Sequence, residues 1–368
     1  MPKIIRGEVY YLVRPHVVLT TSYGTPKQEK AHVLLRLEDE AGNVGFGEAT
    51  PLEKFTGETS HMTELVLREI LLPVILGLEG DALSMAHKVM DYTIPGNEAA
   101  KAAVDCAMYD LTAKRLGIPL YVLLGGKVRD SVPLNRHISI VDTGTAVKQA
   151  QEYIAQGCCS LKMKVGGIVE ADIERIKAVR AAVGMDVKIR IDANGGYTYS
   201  EAFSLIQGVK DCKLEFYEQL LPADRVGELK ALRLATGVPM LIDEGIHSVG
   251  DAVHCFSTAA ADAVTIKLCK CGGLYPALSI AGIALSMGAK VIVASTYDTQ
   301  IGCGICLHLA VALANADTGC DLTTYATQSA WAKTSHTMRN MCLYVGDASG
   351  CGVYSMKDFP PLEESCMI

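Results

Sequence analysis

The sequence predicts an α/β protein in which a small α+β domain is followed by a parallel (β/α) barrel. Three observations support this fold class. At 368 residues the chain is longer than one hydrophobic core usually organises, so two domains are expected. Its first third has the pattern of a strand meander followed by helices, and the later part alternates short apolar strands with amphipathic helices. Charged residues recur at the ends of those later strands, about one βα unit apart.

The first domain is expected over residues 1–126. From about Thr63 to Gly117 apolar residues recur at helical spacing, with Gly117 and Pro119 as stop signals. Strands precede this helical region. They are predicted at residues 8–13, 32–38 and 44–48.

The barrel is expected over residues 127–330, and a segment at 331–368, rich in turn formers, is expected to pack on the first domain. Eight βα units favour a closed barrel, although their number alone leaves an open sheet as an alternative. The candidate strands are residues 132–140, 159–165, 187–193, 214–218, 239–243, 263–268, 290–294 and, more weakly, 320–323.

Composition excludes several classes of function. The net charge is −7 and no Lys/Arg block is present, which argues against a nucleic-acid surface. We expect a small-molecule substrate. The first residues lack the apolar core of a signal peptide, so a cytoplasmic protein is expected. The most apolar stretch, residues 277–295, is interrupted by Gly282, Gly288 and Lys290, and no membrane span is predicted.

The 13 cysteines are an odd number scattered over a long chain, so a disulfide framework is not expected. Cys303 and Cys306 form a Cys-x-x-Cys that could be redox-active or half of a metal site. No second pair at zinc-ligand spacing accompanies it. We therefore interpret both as small buried helix residues.

Five charged residues form the candidate site: Lys164, Asp192, Glu218, Asp243 and Lys267. Each stands at the C-terminal end of a candidate strand, at intervals of 28, 26, 25 and 24 residues. Active sites of (β/α) barrels form where these strand ends and their loops converge, so the five side chains are expected to meet around one pocket.

Strand alternation predicts that charged side chains line the interior of the barrel. Charges held there cost several kcal/mol each unless they are paired or bind a metal. Three carboxylates suit a hard cation such as Mg²⁺. A network of buried Lys–Asp/Glu ion pairs without metal is the structural alternative. The side chains predicted to share the inner face are Ser160, Lys162 and Lys164, then Lys188, Arg190 and Asp192, then Thr265 and Lys267.

This arrangement suits removal of a proton from a carbon next to a carboxylate or carbonyl. A cation on the substrate's oxygens, helped by lysine ammonium groups, would stabilise the enolate that develops. Crowding by other cations and exclusion of water are expected to lower a lysine pKa toward about 7–8. Lys164 and Lys267 are expected on opposite sides of the barrel mouth, where one removes the proton and the other returns it to the opposite face. The product would be the epimer.

The runs around these residues resemble the enolase superfamily, specifically its muconate-cycloisomerase branch (mandelate racemase and muconate lactonizing enzyme), with its dipeptide epimerases and N-acyl amino acid racemases. The resemblance spans nearly the whole chain. It is carried by the runs at residues 44–51 (VGFGEATP), 102–110 (AAVDCAMYD), 124–126 (LGG), 161–166 (LKMKVG), 191–194 (IDAN), 218–219 (EQ), 242–244 (IDE) and 266–273 (IKLCKCGG).

The resemblance implies a modified (β/α)7β TIM-type barrel, capped by an α+β domain that the N-terminal region and the C-terminal tail form together. It also implies Mg²⁺, or Mn²⁺, on Asp192, Glu218 and Asp243, with Lys164 and Lys267 as the acid/base pair. Lys162 would support the enolate, and Asn194 and Glu244 would lie near the metal. We further expect a homo-oligomer.

Within the branch, the runs at residues 47–51 and 56–58 are most similar to dipeptide epimerases. Those enzymes carry Asp-x-Asp at the eighth strand end, which binds the dipeptide's ammonium, but here the run is Asp321-Leu322-Thr323. The Ala-Glu-specific members place an arginine in the first flexible loop, which here holds residues 19–23 without one. The residues predicted to contact substrate are Thr20, Tyr23, Lys54, Thr56, Thr296, Asp298, Asp321 and Thr323.

Two reaction classes compete. The leading hypothesis is a two-base epimerase or racemase acting on a dipeptide or other N-substituted amino acid. The alternative is a cycloisomerase or dehydratase that uses the same metal site and one lysine, on a muconate-type or hydroxy-acid or hydroxyproline-like substrate. A lone histidine is more often structural than functional, and His137, beside Arg136 on the first barrel strand, is expected to lie below the pocket.

Overall fold

The computed structural model of the chain describes residues 1–322, 324–327 and 332–356. Its strands lie in a capping sheet, a barrel and two small tail sheets. They are β1 (Ile4–Pro15), β2 (Glu29–Asp39), β3 (Val44–Ala49), β4 (Ser131–Pro133), β5 (Arg136–Ile138), β6 (Ser160–Lys164), β7 (Lys188–Asp192), β8 (Phe216–Glu218), β9 (Met240–Ile242), β10 (Ala263–Ile266), β11 (Lys290–Val293), β12 (Ala332–Thr334), β13 (Thr337–Arg339), β14 (Cys342–Tyr344) and β15 (Val353–Met356).

The helices fall into a capping group and a group that alternates with the barrel strands. A π-helix, Leu67–Leu71, and a 3₁₀ helix, Lys210–Cys212, join longer helices. The α-helices are α1 (Glu53–Thr56), α2 (Ser60–Val66), α3 (Leu72–Ile75), α4 (Leu83–Thr93), α5 (Glu98–Arg115), α6 (Leu120–Leu123), α7 (Thr143–Ala155), α8 (Val169–Val183), α9 (Tyr199–Val209), α10 (Val226–Thr236), α11 (Val249–Ser257), α12 (Leu268–Cys271), α13 (Leu274–Ser286), α14 (Gln300–Ala312) and α15 (Thr324–Thr327).

The cap is an antiparallel meander, β1-β2-β3, packed against α5. Close approach of β3 to this helix explains two glycines in the strand. A Cβ on Gly45 would stand 2.1 Å from the carbonyl oxygen of Ala107, and one on Gly47 would stand 1.9 Å from that of Ala103. Only glycine fits such contacts, so the Gly-x-Gly of β3 sets how closely the sheet packs on the helix.

The barrel holds seven parallel strands in the order β11-β10-β9-β8-β7-β6-β5. In the described part of the candidate eighth strand, residues 320–322, two residues form the isolated bridges that close the ring. Cys320 pairs with Leu134, just before β5, and Asp321 pairs with Ala294, just after β11. The predicted capped (β/α)7β barrel is therefore confirmed, with its eighth position held by isolated bridges.

The alternation predicted along the strands determines which side chains face the helices. Leu161 and Met163 of β6 and Ile189 and Ile191 of β7 are fully buried in the large core between sheet and helices. Inside the barrel a small separate apolar cluster lies among the polar residues. It contains Phe216, Leu241, Ala263 and Ile292.

The first predicted barrel strand, residues 132–140, divides into two. β4 pairs antiparallel with β14 of the tail, and only β5 joins the barrel. Between them Asn135 is buried and donates from Nδ2 to Asp321 Oδ1 at 2.6 Å. The single apolar run therefore contributes one strand to each of two sheets. Hydrophobic periodicity alone does not show where the first strand ends and the second begins.

The tail packs back on the capping helices. Leu120 N donates to Gly350 O at 2.9 Å, and Cys351 N donates to Asp110 Oδ1 of α5 at 2.7 Å. From the cap, Glu48 of β3 reaches the start of α14, where it accepts from Thr299 N and Gly302 N at 2.9 Å each. The boundaries near residues 126 and 330 stay predictions.

Twelve cysteines lie in the part of the chain that the structure describes, and all twelve are free thiols. Ten are buried, Cys342 is half-buried and Cys159 is exposed. Cys303 and Cys306 are buried in α14, as their interpretation as helix core residues requires. In the described residues, we find no helix with the length and apolar character needed to cross a bilayer.

Candidate active site

Five sequence-predicted residues lie together at the C-terminal end of the barrel. Lys164, Asp192 and Glu218 are the last residues of β6, β7 and β8, and the parallel register places them side by side. Asp243 directly follows β9 and Lys267 directly follows β10. The expectation that the strand ends bring these side chains into one cluster agrees with the structure.

Lysine ammonium groups bridge the first two carboxylates. Lys162 Nζ lies 2.7 Å from Glu218 Oε2 and 3.1 Å from Asp192 Oδ2. Lys164 Nζ donates to the same Asp192 oxygen at 2.6 Å and to Asn194 Oδ1 at 3.1 Å. Asp192 and Glu218 are buried, so their charge is balanced almost entirely by these lysines.

Asp243 is held between two further lysines. Lys267 Nζ donates to Asp243 Oδ2 at 2.5 Å, and Lys270 Nζ donates to Asp243 Oδ1 at 2.9 Å and to its backbone carbonyl at 2.6 Å. Gln219 Oε1 accepts from Asp243 N at 3.0 Å. These contacts fix both the backbone and the carboxylate of Asp243.

The lysines control how the carboxylates ionise. Burial alone would raise the pKa of Asp192, but the ammonium groups of Lys162 and Lys164 outweigh it and hold that pKa below its usual range. Burial, together with the Asp192 carboxylate beside it, raises the pKa of Glu218 to about 8. The lysines therefore favour the ionised form of Asp192, whereas burial and the Asp192 charge make Glu218 easier to protonate than an exposed glutamate.

The expected lowering of the lysine pKa is wrong for Lys267 in this arrangement. Burial lowers its pKa, but the carboxylates of Asp243 and Glu244 outweigh burial and raise it above the usual lysine range. The same balance raises the pKa of Lys162. The carboxylates in direct contact, which spacing along the chain does not reveal, outweigh the neighbouring cations.

The donor atoms of this cluster suit a divalent cation, although their present arrangement does not form a metal site. Among the residues with described placement, no group of three or more His, Cys, Asp or Glu side chains is arranged to hold a metal ion as it stands. The donor chemistry nevertheless fits, because three buried carboxylates at adjacent strand ends supply the hard oxygen ligands that Mg²⁺ prefers. Glu218 Oε2 also accepts no well-aligned hydrogen bond, although Lys162 Nζ is 2.7 Å away. Binding of a cation to Glu218 Oε2 would require the Lys162 ammonium to move away from this oxygen.

Asn194 and Glu244 flank the carboxylates as the resemblance implies. Asn194 Nδ2 donates to Glu244 Oε1 at 2.9 Å, and its backbone N–H donates to Asp192 Oδ1 at 3.0 Å. The Tyr23 hydroxyl reaches Glu244 Oε1 from the cap at 2.9 Å. One polar chain thus connects the loop at residues 19–23 to the carboxylate cluster.

A cavity of about 710 Å³ lies between the cap and the barrel mouth. Its lining includes Lys162, Lys164 and Lys267 but none of the three candidate metal ligands, each of which contacts one of these lysines. The ammonium of Lys267 lies 4.0 Å from the ring centroid of Phe55, a capping residue. The lysines are therefore the groups that a substrate would meet.

Four predicted substrate contacts line this cavity, namely Tyr23, Lys54, Thr296 and Asp321. His137 lines it too, so the expectation that this histidine lies below the pocket is wrong. His137 Nε2 is 3.3 Å from Asp321 Oδ1.

Three other predicted contacts, Thr20, Thr56 and Asp298, are not among the residues that line this cavity. Thr20 pairs with Thr25 at 3.0 Å between hydroxyl oxygens, and Thr56 Oγ1 donates to Leu52 O at 3.2 Å. Asp298 is buried and accepts from Thr50, and burial together with Glu48 raises its pKa. Thr323 lies outside the described residues. Contacts of these four with substrate stay predictions.

Sequence reasoning missed several groups that organise the cluster. Lys270 carries a charge in the short buried helix α12, among Leu268, Cys269 and Cys271, and that contrast was a usable signal. Gln219 and Asn135 carried no such signal, because each acts through a contact far away in the chain.

Comparison with known proteins gives the family. Residues 6–125 match the family described as mandelate racemase / muconate lactonizing enzyme, N-terminal domain, and residues 145–358 match the enolase C-terminal domain-like family. The chain belongs to the enolase superfamily.

Relatives within the enolase superfamily cover most of the chain. The N-succinyl-L-Arg/Lys racemase of Bacillus cereus is 33% identical over 300 residues, covering 81% of this chain and 80% of that protein. The hydrophobic dipeptide epimerase of Enterococcus faecalis is 34% identical over 323 residues, covering 87% and 90%. The chloromuconate cycloisomerase of Cupriavidus necator is 30% identical over 302 residues, covering 81% of each.

Solved structures of two of these superfamily members share the fold. The B. cereus racemase has a TM-score of 0.93 at 29% identity, covering 97% of this chain and 96% of that one. The E. faecalis epimerase, complexed with Mg and the dipeptide L-Leu-L-Tyr, has a TM-score of 0.91 at 33% identity, covering 95% and 99%. This chain is an enzyme of the isomerase class, which confirms the class expected from the sequence.

Proposed function

We propose that the protein is a metal-dependent epimerase or racemase that moves the α-proton of a dipeptide or another N-substituted amino acid through an enolate. One observation carries this proposal. Lys164, at the end of β6, and Lys267, just after β10, line the same cavity. In the strand order of the barrel, β6 and β10 are four positions apart. In a closed barrel this separation puts the two amines on opposite sides of the mouth, as a two-base reaction requires.

The chain's own groups divide the work. One of Lys164 and Lys267, as the free amine, takes the α-proton, while the other, as ammonium, delivers a proton to the opposite face. Lys162 presents its buried ammonium toward the developing negative charge. Phe55 and the rest of the cap limit access of water to Lys267.

Asp192, Glu218 and Asp243 would hold Mg²⁺, with Mn²⁺ as an alternative. When bound, such a cation polarises the substrate carboxylate and neutralises the carboxylates that raise the lysine pKa values. The Mg in the E. faecalis epimerase complex and the donor set present here support this assignment.

The relatives support the substrate class. They include an N-succinyl-L-Arg/Lys racemase and a hydrophobic dipeptide epimerase. We propose the same small-molecule class for this chain. We also propose a cytoplasmic location. We further propose a homo-oligomeric state, and gel filtration with light scattering would measure the number of subunits.

The test is incubation of candidate N-acyl amino acids and dipeptides in D₂O with Mg²⁺. A two-base epimerase exchanges the α-proton of both stereoisomers, and NMR follows the loss of the α-proton signal. The same enzyme treated with EDTA is the control, and it should lose exchange until metal is restored. A cycloisomerase or dehydratase, supported by the chloromuconate relative, would instead give an isomerised ring or a new alkene without exchange in both stereoisomers, and that result would reject the epimerase.

A further inference from the structure

Lys30 is a buried lysine that forms no ion pair with a carboxylate. It lies in β2 of the cap, its side chain lines the cavity, and the residue is 8% exposed. Its ammonium donates to Pro51 O at 2.7 Å. Within the described part of the chain, no carboxylate oxygen lies within ion-pair distance of it.

The other buried lysines show what is unusual about Lys30. Five lysines are buried in the described ranges, and four of them contact a carboxylate. Lys101 Nζ lies 2.7 Å from Asp91 Oδ1, and Lys162, Lys164 and Lys270 pair with the active-site acids. Removing an ammonium from water without a counter-ion costs several kcal/mol. An anion arriving at Lys30 would recover that cost.

The buried acid of the cavity lining is poorly suited to attract a substrate cation. Asp321 is the one buried acid in the lining, and its oxygens are already occupied. Lys162 Nζ lies 2.9 Å from Asp321 Oδ2, and Asn135 Nδ2 lies 2.6 Å from Oδ1. Lys162 and His137 hold the pKa of Asp321 below its usual range against the effect of burial. This carboxylate is neutralised from within the protein, which leaves little attraction for a substrate ammonium.

We infer that Lys30 binds a second carboxylate of the substrate, in addition to the carboxylate next to the reacting carbon. This inference rests on the proposed function for the position of the reacting end, and it narrows the substrate to dicarboxylic N-acyl amino acids or peptides. The second carboxylate can stand on the N-acyl group or on the amino-acid side chain. A cavity of about 710 Å³ accommodates either.

Matched substrate pairs test this inference. The first pair is an N-succinyl amino acid and its N-butanoyl counterpart, in which a methyl group replaces the terminal carboxylate. The second pair is an N-acyl glutamate and the corresponding glutamine. For each pair, kcat/KM from α-proton exchange in D₂O and Kd from calorimetry are measured on the Mg²⁺-loaded enzyme.

The wild-type protein should prefer the dicarboxylate of one pair by at least about tenfold, the effect of a charge-assisted hydrogen bond. The preferred pair identifies where the second carboxylate stands. Lys30→Met should lose that preference in both kcat/KM and Kd, while kcat/KM on the neutral partner stays within about threefold. Lys30→Gln, which keeps a donor to Pro51, should behave in the same way.

Lys27→Met is the matched control, because Lys27 is an exposed lysine at the rim of the same cavity. It should keep the preference. Equal binding of both members of both pairs by the wild type would overturn the inference, as would an equal loss on both members in Lys30→Met and Lys30→Gln. Carboxylate-dependent binding without any proton exchange would instead retain the role of Lys30 and reject the epimerase.

Discussion

At the scale of single residues, the site is a balance of opposite charges. Four lysines and three carboxylates contact one another at the barrel mouth, and each acid touches at least one ammonium. A buried group of this kind is stable only while the charges compensate. Replacing one member should therefore change the ionisation and the position of its neighbours as well.

The two lysines at the cavity carry the first prediction. Lys164→Ala or Lys267→Ala should lower epimerisation at least about 10³-fold, because each amine serves one face of the α-carbon. Metal binding should survive in both variants. The measurement is conversion of each pure stereoisomer, followed by chiral chromatography.

Lys290→Ala is the control for both variants, since Lys290 is a half-exposed lysine paired with Asp317 at 2.6 Å. It should keep wild-type rates. Full activity in either active-site variant would contradict a two-base reaction.

Asp243 carries the second prediction. Asp243→Asn should weaken Mg²⁺ or Mn²⁺ binding at least about tenfold, because a charged oxygen ligand becomes a neutral amide. Titration of Mn²⁺ followed by electron paramagnetic resonance gives the affinity directly. Asp317→Asn, on the surface, should leave it unchanged. Unchanged affinity in Asp243→Asn would remove Asp243 from the proposed ligand set.

Residue types and spacing predicted the members of the cluster but not its internal contacts. Lys164 and Asp192 were recognisable because strand alternation and the length of a βα unit place them at one edge. Lys30 was not recognisable, because the sequence does not show which buried lysine forms no ion pair with a carboxylate. That property depends on atoms brought together from the cap and the barrel.

At the scale of elements, the packing of β3 on α5 positions the cap over the site. β3 carries Glu48, whose carboxylate accepts from the first turn of α14 and from His32 Nδ1 at 2.9 Å. A change in the spacing between β3 and α5 would therefore move the contact between cap and barrel.

Gly47 carries the third prediction. Gly47→Ala should lower the free energy of unfolding by about 2–3 kcal/mol, because its Cβ would meet the carbonyl oxygen of Ala103 at 1.9 Å. Denaturant unfolding followed by circular dichroism measures the change. Gly282→Ala is the matched control, since a Cβ there meets no atom within 4 Å and the residue lies in α13. That variant should be neutral or more stable by up to about 1 kcal/mol.

The elements were predicted best where one run of sequence serves one sheet. β6 to β11 follow the predicted strands because each is a short apolar run between turns. The first barrel strand was predicted as one element, but the structure uses it for β4 and β5. The eighth position was predicted as a strand, and in its described residues, 320–322, it forms two isolated bridges, a geometry that depends on the neighbouring strands.

At the scale of the whole molecule, a buried histidine of the tail packs against the barrel helix α14. His336 accepts from Gly346 N at Nδ1 at 3.0 Å, and its Nε2 lies 2.9 Å from Cys351 O. The first contact requires an unprotonated Nδ1. Its ring also packs edge-on against His308 of α14, at 5.3 Å between centroids. Burial lowers the pKa of His336 to about 4.

This pKa carries the fourth prediction. Because the folded-state pKa lies below the unfolded value of about 6.5, the unfolded chain binds the proton first as pH falls. The stabilisation is complete above pH 6.5 and is lost as the pH falls toward 4, by up to about 3 kcal/mol. Chemical denaturation at a series of pH values measures it.

His336→Gln should flatten the stability curve between pH 6.5 and 4. His61→Gln, at an exposed histidine of the cap, should keep the wild-type slope. An unchanged slope in His336→Gln would show that other groups cause the acid sensitivity.

The ten buried cysteines can report local unfolding of the molecule through the rates at which they are alkylated. Burial raises the pKa of these thiols, to about 12 for Cys255, Cys271 and Cys320, so almost no thiolate is present for an alkylating reagent. Exposed Cys159 would react without unfolding, whereas the ten buried thiols react only after local or global unfolding exposes them. The order in which they become labelled in mass spectra would therefore map which parts of the barrel open first, without any introduced probe.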